Sequence, residues 1–175
     1  MELEAYAGYG DVDEAEDSYA GNALLKATAL QELLRADGVH AAAVGDDSGL
    51  EVAALGGRPG VLSARYGGPG ATWAQRRRGL LDELAASGST DRRARFVCAL
   101  AFIAPDGTRI AVERDFPGEL ALEERGTAGF SYDPIFVDAA TGKTFAEIDE
   151  RTKNRISHRG RAVRALLEAL RGGGE

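Results

Sequence analysis

Two adjacent carboxylates are the strongest candidates for chemistry in this sequence. Asp46 and Asp47 are followed by Ser48 and Gly49, directly after a short run of small apolar residues at 40–45 that predicts a buried strand. If the strand ends at this glycine, the carboxylates lie at the carboxyl edge of the sheet, where α/β proteins bind ligands. One of them could then hold Mg²⁺ together with substrate phosphate oxygens. Alternatively, the four residues form a turn in which Asp and Ser side chains bond local backbone groups.

A basic cluster lies where the last helix is predicted to begin. It consists of Lys153, Arg155, His158, Arg159 and Arg161, and Ser157 can cap the helix. Cations are unfavourable at this end of a helix because the aligned peptide dipoles make it positive. The cluster is therefore consistent with a site for an anion or an electron-rich group. The alternative is that these long side chains simply extend into water.

Two other charged runs are predicted to be solvated. Arg76, Arg77 and Arg78 are consecutive, so on a helix they point in different directions. Residues 11–17 are mostly acidic and show neither a helical nor a strand period, which indicates a loop. This loop could supply a second metal ligand, but a charge run of this kind is more often a solvated face.

Residues 129–134, Gly-Phe-Ser-Tyr-Asp-Pro, place two aromatic rings and a carboxylate on a predicted turn. The faces of Phe130 and Tyr132 can stack on a nucleobase, and Asp133 can accept hydrogen bonds from its edge. Aromatic residues on turns more often cover a hydrophobic core, which is the alternative interpretation.

Several other kinds of site lack the residues that they need. Cys98 is the single cysteine and the histidines are His40 and His158, which excludes a zinc site of the usual Cys/His spacing. The sequence contains no serine nucleophile elbow, no P-loop lysine motif and no dinucleotide-binding fingerprint. Cys98 lies within an apolar run and is predicted to be a buried thiol. Metal-assisted attack by water is the chemistry that remains.

Three helices that could position these residues are predicted from caps and periodicity. The first begins at Ser18 and closes at Gly38, and its Asn22 and Lys26 share a face because they are four residues apart. The second runs over 72–86, and the last carries the basic cluster. The residues expected to face inward in the second helix are Trp73, Leu80, Leu81 and Leu84. On the last helix one apolar stripe is formed by Val163, Leu166, Leu167 and Leu170.

The strands follow from apolar runs and turn residues. Residues 95–104 and 110–116 are predicted to form an antiparallel hairpin around Pro-Asp-Gly at 105–107. With the run at 40–45, strands and helices alternate along the chain. This order predicts an α/β fold with a mixed sheet.

Composition limits the class of protein. The 175 residues carry a formal net charge of −7 and 44% are hydrophobic, which suits one domain with a core of its own. The acidic balance argues against a nucleic-acid polymer as partner. The longest apolar run, 96–104, is about half of what a membrane span needs, and no signal peptide is visible. We therefore expect a cytoplasmic protein without a membrane segment.

Five sequence blocks occur in an order that resembles a known family. They are Asn-Ala-Leu-Leu-Lys-Ala at 22–27, Asp-Asp-Ser-Gly-Leu at 46–50, Pro-Gly-Val-Leu-Ser-Ala-Arg-Tyr at 59–66, Gly-Phe-Ser-Tyr-Asp-Pro at 129–134 and Ser-His-Arg-Gly at 157–160. This order resembles the inosine/xanthosine triphosphate pyrophosphatases, which act on non-standard purine nucleotides. The resemblance covers roughly residues 14–170.

The resemblance implies a fold, an activity and an assembly. The fold would be two-lobed and α/β, built around a long mixed sheet, with the substrate in the cleft between the lobes. The activity would be Mg²⁺-dependent hydrolysis of the purine nucleoside triphosphates ITP, dITP and XTP to the monophosphate and pyrophosphate, which cleanses the nucleotide pool. The assembly would be a homodimer.

The resemblance also implies roles for particular residues. Asp47 matches the catalytic carboxylate and a metal ligand, and Glu14 matches the other metal ligand. Lys26 matches a lysine that faces the phosphates, and Ser48 matches a substrate contact. The nucleoside pocket would comprise Phe130, Ser131, Tyr132, Asp133, Lys153, His158 and Arg159. Ser131 stands where a glycine is common in the family.

One departure from the family concerns the N-terminus. Family members begin with a strand and a Ser/Thr-x-Asn-x-x-Lys turn that cradles the triphosphate, and residues 1–9 match neither. We therefore expect one nucleotide pyrophosphatase domain over residues 1–175 that is N-terminally short, and that is poorly active or unstable compared with an extended form.

Two alternatives follow. One is a nucleotide-binding module without turnover, because the phosphate turn is not seen. The other is a Maf-type nucleotide pyrophosphatase, against which the blocks at 129–134 and 157–160 argue.

Overall fold

Strands and helices alternate along the computed structural model, which describes residues 9–10 and 12–172. Within this part of the chain the helices are α1 (Tyr19–Ala36), α2 (Trp73–Ala86), α3 (Glu150–Ile156) and α4 (His158–Gly172). The strands are β1 (Ala43–Val52), β2 (Pro59–Gly60), β3 (Arg93–Ile103), β4 (Arg109–Leu120), β5 (Phe136–Asp138) and β6 (Lys143–Thr144). The predicted α/β class is confirmed.

The six strands form one sheet in the order β2-β1-β3-β4-β5-β6. The pairs β1–β2, β4–β5 and β5–β6 are antiparallel. The parallel strands that a mixed sheet would need are therefore not among these three pairs. The predicted hairpin is confirmed, because β3 and β4 are neighbours joined by a turn in which the N–H of Gly107 donates to the carbonyl of Ala104.

Two predictions concern residues near the N-terminus. Asp11 of the acidic run and residues 1–8, on which the expected departure from the family rests, lie outside the described residues. Residues 12–17 form neither a helix nor a strand, in agreement with the predicted loop. None of the described helices is both long and apolar enough to span a membrane.

The chain divides into two compact units. The first contains the described residues up to Asp47, together with Cys98–Arg114 and the chain from Ala162 onward. The second contains Ser48–Val97 and Asp115–Arg161.

In the first unit, α1 lies directly against β1. The helix begins as predicted, since Ser18 Oγ accepts a hydrogen bond from the N–H of Gly21 at 3.1 Å. Its Ala23 packs so closely that a Cβ placed on Gly45 of β1 would lie 2.0 Å from the Ala23 carbonyl oxygen. Glycine at this position therefore permits the contact between helix and strand.

Strand β1 corrects the prediction of a turn at 46–49. The strand starts at Ala43 and continues to Val52, so both aspartates lie in its middle. Pairing with β3 on one side and with β2 at Leu50 and Glu51 keeps this segment extended. Such non-local pairing overrides the local preference of Asp, Ser and Gly for turns.

In the second unit, α2 is confirmed but one of its inward residues is not. Thr72 and Gln75 form a capping box, and Leu80 and Leu84 are buried. Trp73 was predicted to face inward but is 37% exposed, and its ring packs in a T-shaped arrangement with the ring of Tyr132.

The apolar stripe predicted on α4 is mostly exposed in the structure. Val163, Leu167 and Leu170 are exposed, and Leu166 is buried. The face that packs in the first unit is instead formed by Leu166 with Ala162, beside Cys98 and Leu100. The buried face of α4 therefore consists of residues 162, 165 and 166. Two of these are alanines, so a pattern of large apolar side chains does not identify this face.

Candidate active site

Two carboxylates and one ammonium group meet in the first unit. Lys26 Nζ lies 2.5 Å from Glu14 Oε1 and 2.8 Å from Asp47 Oδ1. It also donates to the Asp46 carbonyl oxygen at 3.0 Å. Asp47 is buried, whereas Glu14 and Lys26 are half-buried. Glu14 and Asp47, the two predicted metal ligands, therefore both pair with the ammonium group of Lys26.

Asn22 connects the acidic loop to the aspartate. Its Nδ2 donates to Asp47 Oδ2 at 3.4 Å and to the carbonyl of Glu16 at 3.3 Å, while its Oδ1 accepts from the N–H of Glu16 at 3.1 Å. The loop is thereby held against α1, and Glu14 turns inward while Asp13 and Asp17 stay exposed. The composition of the run alone predicts that all its side chains are solvated, and this prediction is wrong for Glu14.

The electrostatics of the cluster are set by burial and by mutual pairing. Burial raises the pKa of Asp47 above its ordinary value, against the opposing effect of the hydrogen bond from Lys26. Burial also acts to lower the pKa of Lys26, but its hydrogen bonds to Asp47 and Glu14 outweigh this, so the pKa of the ammonium is raised. A buried carboxylate with a raised pKa is a stronger proton acceptor once ionised.

The donor set available to a metal consists of carboxylate oxygens. Among the described residues no group of three or more His, Cys, Asp or Glu side chains is placed to hold an ion. Glu14 and Asp47 could therefore act as a pair, with further ligands from water or a substrate. Hard oxygen donors of this kind suit Mg²⁺, which binds through few carboxylates and keeps other oxygens.

A separate cavity of about 200 Å³ lies in the second unit. Its inner wall includes apolar side chains such as Leu50 and Phe96. All seven residues predicted for the nucleoside pocket line it, as does Ser48: Phe130, Ser131, Tyr132, Asp133, Lys153, His158 and Arg159. Largely apolar walls with a few polar groups are typical of small-molecule sites.

The turn at 129–133 is held by hydrogen bonds around Asp133. The N–H of Phe130 donates to Asp133 Oδ2 at 2.7 Å, and Lys153 Nζ contacts the same oxygen. A Cβ on Gly129, whose φ is +76°, would lie 2.2 Å from that oxygen. Glycine is therefore required at 129 both for its backbone conformation and for space.

Phe130 presents its ring to the opening of the cavity. Phe130 is 58% exposed although it lines the cavity. Lys153 Nζ lies 4.6 Å and Arg159 Cζ 5.6 Å from the ring centroid. Phe130 is thus an exposed aromatic side chain with two cations placed over its ring.

The other predicted pocket residues are mostly buried in its wall. The Tyr132 hydroxyl donates to the carbonyl of Ser63 at 2.9 Å, and burial raises the pKa of this phenol. The His158 ring stacks on Phe96 with centroids 4.6 Å apart. Arg159 Nη2 lies 3.5 Å from Ser48 Oγ.

Trp73 and Arg77 belong to this region although neither was predicted there. Trp73 lines the cavity. Arg77, expected in water, has a side chain only 14% exposed and donates through Nη1 to the Ser131 carbonyl at 2.8 Å. Helical spacing could have indicated this, because Arg77 lies three residues before Leu80 and seven before Leu84, on the packed face of α2.

The chain is similar to a known protein family and to several named proteins. The model of the Ham1 family matches residues 1–169. A dITP/XTP pyrophosphatase of Desulfotalea psychrophila is 45% identical over 166 residues, which are 93% of this chain and 71% of that protein. A dITP/XTP pyrophosphatase of Thermus thermophilus is 48% identical over 156 residues, 89% of this chain and 72% of that protein.

Solved structures agree with these sequence matches. A HAM1 protein from Coxiella burnetii superposes with a TM-score of 0.85 at 38% identity, covering 93% of this chain and 81% of that one. The Ham1 protein of Staphylococcus aureus gives a TM-score of 0.83 at 37% identity, with 94% and 82% covered.

Proposed function

The chain belongs to the Ham1 family, and on this premise we propose that it hydrolyses the non-standard purine nucleoside triphosphates ITP, dITP and XTP to the monophosphate and pyrophosphate. The observation that carries the proposal is the cavity lined by all seven predicted nucleoside residues, with the exposed ring of Phe130 at its opening. Relatives named dITP/XTP pyrophosphatases support the same substrate class.

Selectivity against adenine would come from hydrogen-bond donors in the pocket. Hypoxanthine and xanthine carry a carbonyl at C6, which accepts a hydrogen bond, where adenine carries an amino group, which donates. The Arg159 guanidinium and the His158 ring can donate to that oxygen while Phe130 stacks on the purine. Adenine would leave these donors unmatched, and a buried donor without a partner costs binding free energy.

The carboxylates of the first unit would hold Mg²⁺. Glu14 and Asp47 supply hard oxygen ligands, and phosphate oxygens of the substrate would complete the set. When bound, the ion would neutralise and polarise the phosphates. Lys26, already between the two carboxylates, would bind a phosphate oxygen.

The hydrolytic step would use Asp47 as the base. A water attacks the α-phosphorus, a bond forms between them, and the bond from the α-phosphorus to the bridging oxygen breaks so that pyrophosphate leaves. Asp47 accepts the proton of the attacking water. Ser48, which lines the pocket, follows Asp47 directly in β1.

The test compares ITP, dITP, XTP, GTP and ATP in the presence of Mg²⁺ and measures pyrophosphate separately from phosphate. We expect pyrophosphate from the first three substrates, and we expect Asp47→Asn to lower kcat by about 100-fold or more while circular dichroism shows a folded protein. Retention of most of the activity by Asp47→Asn would refute the role of this carboxylate. Binding of ITP without release of pyrophosphate would instead support a binding module.

The cellular location and the assembly are separate proposals. We propose a cytoplasmic location, as the composition predicts, and a homodimer, as the resemblance implies. Fractionation of cells would test the location, and sedimentation equilibrium would test the assembly.

A further inference from the structure

Arg77 reaches from the middle of α2 to the backbone of the aromatic turn. Its Nη1 donates to the carbonyl oxygen of Ser131 at 2.8 Å, and its Nη2 lies 2.9 Å from Glu124 Oε2. The Arg77 side chain is only 14% exposed, whereas its partner Glu124 is 40% exposed, so the contact with the Ser131 carbonyl is the more buried of the two. Hydrogen bonds from a charged donor in such surroundings are among the stronger polar interactions in proteins.

The carbonyl that Arg77 holds belongs to a residue with an unusual backbone. Ser131 has φ +57°, and among the described residues it is the non-glycine residue with positive φ. A side chain with a Cβ is disfavoured in this left-handed region, so surrounding contacts must maintain the conformation. The bond from Arg77 fixes the orientation of the peptide that follows Ser131 and is one such contact.

The position of the Phe130 ring depends on this same backbone. The ring is mostly exposed, so packing against a core does not hold it in place. Its peptide group is held instead, because the N–H of Phe130 donates to Asp133 and the carbonyl of Phe130 accepts from the N–H of Asp133 at 3.1 Å. Ser131 lies between these two residues, so a rotated Ser131 peptide would displace the ring.

We propose that Arg77 is a positioning residue for nucleoside recognition, which holds the 129–133 turn in the conformation that presents Phe130 to the purine. The inference rests on the proposed function, since it assigns the residue that prepares the stacking surface of that pocket. Arg77 itself is not among the residues that line the cavity. It acts through Ser131 and does not touch the substrate.

Arg78 provides a matched control on the same helix. Its side chain is 79% exposed and pairs with Asp82, four residues further along α2. Replacing either arginine removes the same charge and the same number of atoms. Only the replacement of Arg77 removes a contact with the turn.

The experiment measures kcat and KM for dITP in Arg77→Ala, Arg77→Lys and Arg78→Ala. We expect Arg77→Ala to raise KM about tenfold and to leave kcat within about twofold, because the turn prepares binding and does not take part in bond breaking. Arg77→Lys keeps one charged donor but lacks the fork that reaches both Ser131 and Glu124, so we expect about a threefold rise in KM. Arg78→Ala should match the wild type.

A binding measurement separates this inference from the proposed function. Calorimetric titration with inosine monophosphate, the expected product, should show the same loss of affinity in Arg77→Ala and none in Arg78→Ala. A wild type that releases no pyrophosphate would defeat the proposed function, while the titration still decides the role of Arg77.

Two results would overturn the inference. One is an Arg77→Ala variant whose KM and affinity for inosine monophosphate equal those of Arg78→Ala. The other is a loss confined to kcat. If Arg77→Ala does not fold, Arg77→Lys decides by the same criteria.

Discussion

Gly45 is the position where one methyl group should have the largest effect on both stability and activity. A Cβ at Gly45 would lie 2.0 Å from the Ala23 carbonyl oxygen and 2.8 Å from the Ala27 nitrogen. Ordinary contacts between carbon and oxygen are about 3.3 Å or longer, so α1 must move away from β1 by more than about 1 Å. Both opposing atoms are backbone atoms, which no side-chain rotation can remove.

The expected cost of Gly45→Ala can be estimated from this overlap. Overpacking of a core by one methyl group costs about 1–3 kcal/mol, and the rigid backbone on the opposite side places this site at about 3 kcal/mol. For a urea dependence of about 2 kcal/mol per molar, the midpoint of unfolding should fall by about 1.5 M. The displaced α1 also carries Asn22 and Lys26 away from Asp47, so kcat should fall under conditions where the variant is folded.

Gly79→Ala is the control for this prediction. Gly79 lies inside α2, and a Cβ there would meet Tyr66 Cε1 at 3.7 Å, an ordinary contact. We expect this variant to be more stable than the wild type by about 0.5–1 kcal/mol, because alanine favours the helix more than glycine does. Urea unfolding followed by circular dichroism measures both variants. A midpoint for Gly45→Ala equal to that of the wild type would refute the close approach of α1 and β1.

Two further predictions concern the pH dependence of stability and the effect of metal removal on activity. Glu83 accepts a hydrogen bond from the Tyr66 hydroxyl and pairs with Arg58, and its pKa is lowered chiefly by the bond from Tyr66. The ionised Glu83 carboxylate therefore stabilises the fold above the unfolded pKa of about 4.3, and this stabilisation is lost as the pH falls through the lower folded pKa. We expect the wild type to be more stable than Glu83→Gln near neutral pH and this difference to shrink in acid. Urea unfolding of both proteins at several pH values measures it. Chelation with EDTA should abolish pyrophosphate release and added Mg²⁺ should restore it, whereas full activity in EDTA would contradict the metal role of Glu14 and Asp47.

Local signals in the sequence predicted the helices better than the strands. The Ser18 and Thr72 caps depend on side chains within three residues, and both helices begin where these residues predict. The course of β1 through Asp47 depends on distant partners in β2 and β3, which no local pattern encodes. Similarly, the exposure of Val163 follows from which face of α4 finds a partner.

Some residues of the candidate site could likewise be predicted from the sequence, and others could not. The resemblance named eight of the residues that line the cavity, because their types and their order along the chain match the family's sequence blocks. The inward turn of Glu14 was not visible in the acidic run, since it depends on the hydrogen bonds of Asn22 to Glu16. Arg77 was missed because three consecutive arginines suggested a solvated run, although helical spacing places this one on the packed face.

Trp73 gives the protein an optical reporter inside its own binding pocket. It is the single tryptophan of the chain, it lines the cavity, and its ring packs in a T-shaped arrangement with the Tyr132 ring, the centroids 5.5 Å apart. Indole emission responds to the polarity of its surroundings, so a purine that enters the cavity should change the signal without any label. Stopped-flow fluorescence could then time the arrival of a nucleotide independently of pyrophosphate release, and thereby show whether selection among purines occurs at capture or at bond cleavage.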